Sequence, residues 1–267
     1  KKEDEYMGRK RLLALMVSVV LLAGAFPAAA GEEEGFSGEI ALAALSRYID
    51  RGQELSRHSL VLQPSFTMNY KGFSANVWGS WDSDPYTEGQ GRWYETDYTL
   101  SYGGEFGRLN YEVGYSYYDM DSDDDSQDVY LTLVLNIPLN PTLTVYREIG
   151  YDLYWYFVLS FKHTFQLSDK LSLELCASAA YLSGNNAKEY PEVNGEGNET
   201  GHEFDNFHDG TLTVSLPYTA SESITIMPTL SYTFPLCTEA KREMDYFSMT
   251  GEDHDFLYGG VSFAYSF

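Results

Sequence analysis

The chain has 267 residues, 17 Lys and Arg against 40 Asp and Glu for a formal net charge of −23, and an abundance of Gly and Tyr at 23 each. So acidic a chain makes nucleic acid and anionic headgroups poor partners, because phosphate binding needs basic patches. Beyond residue 30 no stretch reaches the roughly 20 consecutive apolar residues that a membrane helix requires, which excludes a helical membrane protein.

Export comes first in chain order. Met7 reads as the natural start, with Lys1 to Tyr6 upstream as a gene-start error. Residues 8–11 are basic, 12–26 form an apolar run, and Ala28, Ala29 and Ala30 supply small residues before Gly31. That order is the one a secretory signal peptide shows. The apolar run is too short for an anchor helix, and no Cys follows the cleavage point to carry a lipid. Removing residues 1–30 leaves about 237 residues with 12 basic against 37 acidic groups. Residues 31–37 then form a short periplasmic segment and 38–267 one domain.

Alternation bounded by turn residues predicts twelve strands, at 38–48, 59–70, 73–82, 94–103, 108–118, 127–137, 142–148, 153–166, 171–183, 209–219, 223–235 and 256–267. Their faces agree. In 59–70, Leu60, Leu62, Pro64, Phe66, Met68 and Tyr70 oppose Gln63, Ser65, Thr67 and Asn69. In 108–118, Leu109, Tyr111, Val113, Tyr115 and Tyr117 oppose Asn110, Glu112, Gly114 and Ser116. The last strand sets Leu257, Val261, Phe263, Tyr265 and Phe267 against Gly260, Ser262, Ala264 and Ser266. Connections alternate as well: short ones at 71–72, 104–107, 138–141, 168–170 and 220–222, longer and mostly acidic ones at 49–58, 83–93, 119–126, 184–208 and 237–255. An even number of strands, oily outside and water-tolerant inside, with short turns at one end, is the pattern of a closed antiparallel transmembrane β-barrel in an outer membrane, both termini at the periplasmic end. A slip of one residue would put every inward carboxylate in lipid, so register is fixed.

Three prolines, Pro64, Pro217 and Pro228, fall inside predicted strands, where bulges or strand ends are expected. Arg147 beside Glu148 points one charge outward unless strand 142–148 stops at Tyr146. The predicted positions of Cys176 and Cys237 are too far apart for a disulfide.

If the barrel conducts, its pore-lining residues are Arg47, Asp82, Glu95, Asp97, Glu112, Asp128, Lys162 and Glu174. Six acidic against two basic groups point to cation preference, since carboxylate rings select cations. Twelve strands lie between a filled eight-stranded barrel and an open sixteen-stranded channel. The opposing expectation is that Arg47 and Lys162 pair with the carboxylates and close the lumen. Asp119, Asp121 and Asp123 offer hard oxygen ligands for a divalent metal, against a solvated acidic loop tip; the EF-hand pattern fails, with Asp124 where Gly is needed. No cofactor motif is present. His58, His202, His208 and His254 fall in outer loops and His163 in a strand, and no His neighbours a nucleophile on one face, so a hydrolase is the weakest class. Loop 184–208 reads as flexible and exposed.

The runs Ser46-Arg47-Tyr48, Arg51-Gly52, Gln63-Pro64-Ser65, Gly72-Phe73 and Trp78-Gly79-Ser80 resemble the opening of the TorF-family outer-membrane porins. Phe161-Lys162-His163-Thr164-Phe165, Ser215-Leu216-Pro217 and Tyr258-Gly259-Gly260-Val261-Ser262-Phe263 are similar to the second half of those proteins and of the related MltA-interacting outer-membrane proteins. The family usually carries an acidic residue after the position of Ser46, where this chain has Arg47. The resemblance implies a barrel of this size with a channel role for small solutes, or, through the second family, a scaffold for murein-remodelling proteins. Expected partners are outer-membrane lipid and lipopolysaccharide, the barrel-assembly machinery through the C-terminal strand ending at Phe267, and a second copy in a homo-oligomer.

Overall fold

The structure, a computed structural model, describes residues 35–85, 91–121, 125–150, 153–248 and 254–267. The expected signal segment lies outside these residues. Twelve long strands follow the predicted order: β1 (Ser37–Leu45), β2 (Val61–Tyr70), β3 (Phe73–Asp82), β4 (Arg92–Phe106), β5 (Leu109–Met120), β6 (Ser126–Leu135), β7 (Thr142–Glu148), β8 (Trp155–Gln166), β9 (Ser172–Ser183), β10 (Asp205–Ser215), β11 (Ile224–Pro235) and β12 (Phe256–Ser266). Each pairs antiparallel with the next, and β12 pairs with β1, so the sheet closes without an edge. At the seam the Gly38 amide donates to the Phe267 carbonyl at 2.8 Å and the Phe267 amide returns a bond at 3.0 Å. The Phe267 ring lies over Gly38, where a Cβ would stand 2.6 Å from it.

The outward face carries exposed Leu100, Val113, Leu131, Leu159, Leu212 and Leu230. Aromatic pairs flank this belt at both ends. Phe36 stacks on Tyr70 at 4.4 Å and Tyr265 on Phe267 at 6.0 Å near the short turns, while Trp155 stacks on Phe157 at 6.0 Å and Tyr232 on Phe234 at 5.5 Å near the long loops. So much exposed apolar surface in one band is a lipid-facing surface. The protein is a multi-pass outer-membrane β-barrel, its short turns at the periplasmic end.

The prolines sit where the ladders break. The β2–β3 register omits Gln63 and Pro64, and the β10 pairing stops at Ser215 and resumes at Tyr218, so Pro217 and Pro228 occupy one gap. Arg147 does point outward. Its guanidinium lies 5.1 Å from the Trp155 ring and donates to the Leu153 carbonyl at 2.7 Å, at the interfacial end where charge costs little.

Three long connections differ from the sequence expectation. Residues 49–58, expected as an outer loop, turn back into the barrel, and 48–56 are buried throughout. The 184–208 segment is not simply exposed: Glu189, Tyr190, Val193 and Phe204 are buried beneath it. The last connection holds a helix, α1 (Thr238–Phe247), which the acidic, aromatic stretch did not announce. Cys237 caps that helix, its Sγ accepting from the Ala240 amide at 3.3 Å, and burial pushes its thiol pKa up. Cys176 faces the lumen opposite Lys162, and both thiols are free.

Candidate functional site

The lumen has two chemically distinct halves. Cross-strand hydroxyl pairs run down its wall, Thr99 with Ser116 at 2.8 Å level with Asp128 and Thr211 with Thr233 at 2.9 Å, then Thr213 with Ser231 at 3.0 Å and, toward the periplasm, Thr132 with Thr144 at 3.1 Å. Lys162 Nζ meets Glu174 Oε2 at 3.3 Å, and the Tyr130 hydroxyl donates to Glu112 at 2.7 Å. The Lys162 side chain keeps 27% of its surface and Glu174 keeps 15%, so water reaches this level.

The outer half is filled. A two-residue hairpin pairs Ile49 with Glu54 and Asp50 with Gln53, and Arg51 and Gly52 form its tip at φ of 44° and 82°. Two successive positive φ values are what the tightest hairpin turns demand. Gly is required at the second, since a Cβ on Gly52 would lie 2.8 Å from His208 Cε1. The base of this finger is tied by the Leu55 amide to the Tyr48 carbonyl at 2.9 Å and the Tyr48 amide to Ser56 Oγ at 2.7 Å. Tyr48, Leu55, Val61 and Trp78 form its apolar anchor. Arg47 lies 3.1 Å from Glu54 Oε1 and also contacts His58.

At the tip, the Arg51 guanidinium enters an aromatic enclosure. Its carbon lies 4.7 Å from the Tyr146 ring centroid, 5.4 Å from Tyr154 and 5.3 Å from Tyr156. Nη2 donates to Asp128 Oδ2 at 2.6 Å, Nη1 contacts the Tyr154 hydroxyl, and the Tyr118 hydroxyl braces Asp128 at 3.2 Å. Burial alone would favour the neutral guanidine; the electrostatic pull of the Tyr154 hydroxyl dipole and of the Asp128 and Asp50 carboxylates outweighs it and holds the Arg51 pKa above the ordinary arginine range.

A bulge completes the mouth. Ala179 pairs with Gly210 and Tyr181 with Phe207, so His208 and Asp209 together oppose Ala180 and both point inward. His208 Nδ1 lies 3.0 Å from Asp209 and Nε2 lies 2.8 Å from Glu243 of α1, while Gln53 reaches the same Glu243 at 3.4 Å. His208, expected in an outer loop, is a buried strand residue. His163 faces outward against Phe165 at 4.4 Å, and His254 pairs with Asp245 at 2.9 Å.

All eight residues singled out from the sequence point inward, but at two levels. Arg47, Asp82, Glu95, Asp97 and Asp128 are buried in the outer half, whereas Glu112, Lys162 and Glu174 line the wetter half. Among the described residues the buried charges are ten carboxylates (Asp50, Glu54, Asp82, Glu95, Asp97, Asp128, Glu148, Glu189, Asp209 and Glu243) against Arg47, Arg51 and His208. Glu95 accepts from the Tyr48 hydroxyl at 3.1 Å, and Asp128 Oδ1, unlike its Oδ2, is buried without a hydrogen-bond donor. The sequence reasoning missed Arg51, Glu148, His208 and Glu243. For Arg51 a signal existed, an Arg-Gly pair midway along a short polar connection; for the others none did. Of the metal candidates, Asp119 is exposed on β5, Asp121 pairs with Arg92 at 2.5 Å, and Asp123 lies outside the described residues. Among the described residues no group of three or more His, Cys, Asp or Glu is placed to hold a metal ion.

Known structures share this architecture. The chain superposes on the NanC porin with a TM-score of 0.56 at 10% identity, covering 85% of this chain and 98% of that one. It superposes on the KdgM porin with a TM-score of 0.54 at 13% identity, covering 86% and 99%. At such identities the likeness is one of fold, a porin-like outer-membrane barrel. No protein-family model and no curated protein matches the sequence.

Proposed function

We propose that this protein is a narrow outer-membrane channel for small solutes, cation-preferring, with its constriction built by the inserted segment 46–59. The carrying observation is the excess of acidic over basic side chains buried among the described residues, ten against two arginines and one histidine, with Asp82, Glu95, Asp97, Asp128 and Asp209 turned inward from the strands. Fixed negative charge in a low-dielectric passage concentrates cations and repels anions. The fold shared with NanC and KdgM, and the resemblance to TorF-family porins, support a channel role. A KdgM porin is known in complex with a disordered oligogalacturonate, a polyanion; the carboxylate excess here argues for the opposite charge class. In this reading Arg47, Asp82, Glu95, Asp97, Glu112, Asp128, Lys162 and Glu174 line the path.

The test is a single-channel recording of refolded protein under a KCl gradient. A reversal potential of the potassium sign is expected for the wild type and for a form lacking residues 49–54. An anion-signed potential, or no conductance in either form, overturns the reading. A second reading, a non-conducting barrel that docks murein-remodelling proteins, draws on the packed outer half. It predicts capture of a periplasmic enzyme by crosslinking in intact envelopes, which a pore does not.

A further inference from the structure

From the enclosure around Arg51 we infer that the lumen holds a guanidinium-binding site which the chain's own Arg51 occupies as an internal stand-in, and that the solute served is a small molecule bearing a guanidinium group. This inference rests on the cation-channel reading and names its substrate class.

Three observations carry it. First, the walls of the enclosure belong to the barrel and not to the finger. Tyr118, Asp128, Tyr146 and Tyr156 lie on β5, β6, β7 and β8, and Tyr154 immediately precedes β8, so the site is held by rigid, hydrogen-bonded strands whatever the finger does. Second, the chemistry fits a planar delocalised cation better than a metal ion. Three ring centroids lie within 5.4 Å of one guanidinium carbon, and a single carboxylate at 2.6 Å supplies the counter-charge. Aromatic faces attract weakly hydrated guanidinium, whereas a hard metal ion would need a shell of oxygens. Third, the occupant is carried on an inserted turn and not on the wall. Arg51 adopts φ of 44°, a left-handed conformation unfavourable for a side-chain-bearing residue, at the tip of a hairpin of two residue pairs. Because no wall residue belongs to this turn, a solute with the same head group meets the same three rings and carboxylate once the Arg51 side chain is gone.

The test uses the full mature protein in planar bilayers, with methylguanidinium as probe and Arg51→Ala as the emptied form. Arg51→Ala is expected to conduct several-fold more than wild type. Methylguanidinium should then block its potassium current saturably, at a concentration at least about tenfold below that of methylammonium. Adding Tyr146→Leu and Tyr156→Leu should abolish that difference. If Arg51→Ala conducts with a cation-signed reversal potential but the two probes block alike, the site inference fails while the channel stands. If no form conducts, the channel reading fails, and the site is judged by thermal unfolding. There, methylguanidinium should raise the unfolding temperature of Arg51→Ala more than methylammonium does, and equal shifts overturn the inference. Should Arg51→Ala fail to fold, the form lacking residues 49–54, which also empties the enclosure, takes its place in both arms, with the same deciding outcomes.

Discussion

Asp128 is the residue on which the outer half depends. It is fully buried, as is the arginine it faces, and the two side chains retain 0% and 3% of their surface. Removing one member of a buried ion pair strands the other charge and costs about 3–5 kcal/mol, whereas replacing both with apolar groups is often neutral. Asp128→Leu should therefore destabilise the folded barrel by about that amount in urea unfolding, and Arg51→Leu/Asp128→Leu should recover most of it. A double variant no better than the single one would show that the pair is not coupled. Asp128 was legible as inward-facing because alternation along β6 leaves only one choice. Its counter-charge was not, because Arg51 is separated from it by 77 positions and reaches it only through a turn whose inward direction no local pattern encodes.

At the level of elements, periodicity specifies strands well and insertions badly. Strands β3 and β7 occupy the ranges predicted, because each is an alternating segment between turn residues. The finger at 46–59, the bulge at His208-Asp209 and α1 escape such a reading, since each is decided by contacts across the lumen. The helix is short and mostly polar, and is held by Glu243 against His208 at 2.8 Å, by Asp245 against His254 at 2.9 Å, and by buried Ala240 and Met244. An isolated helix of ten residues is marginal in water, so these tertiary contacts hold it in place. Glu243→Ala removes the buried acceptor shared by His208 and Gln53. Trypsin should then cut after Lys241 or Arg242 severalfold faster in the folded barrel, while Glu243→Gln, which retains hydrogen bonding, stays close to wild type. Equal cleavage rates in all three forms would place the hold on α1 elsewhere.

Across the whole molecule, the two halves of the lumen imply a barrel that is wide toward the periplasm and narrowed to small ions toward the outside. A wide channel would keep its wall hydrated from end to end; here tyrosines crowd the outer half, and Tyr118, Tyr154 and Tyr156 are almost wholly buried. Cys176 lies below that boundary, facing the lumen beside Lys162, and serves as a natural reporter. The control is Cys237→Ser, which removes the other thiol and keeps an acceptor for the Ala240 amide. In that background a membrane-impermeant thiol reagent added from the periplasmic side should modify Cys176 readily, and from the outer side at least about tenfold more slowly, a rate difference of some 1.4 kcal/mol in access. Deleting residues 49–54 should erase the asymmetry, because the finger and not the strand wall closes the outer half. Equal modification from both sides of the intact protein would mean that the finger leaves a path around itself wide enough for the reagent, and the constriction would have to be sought among the wall residues alone.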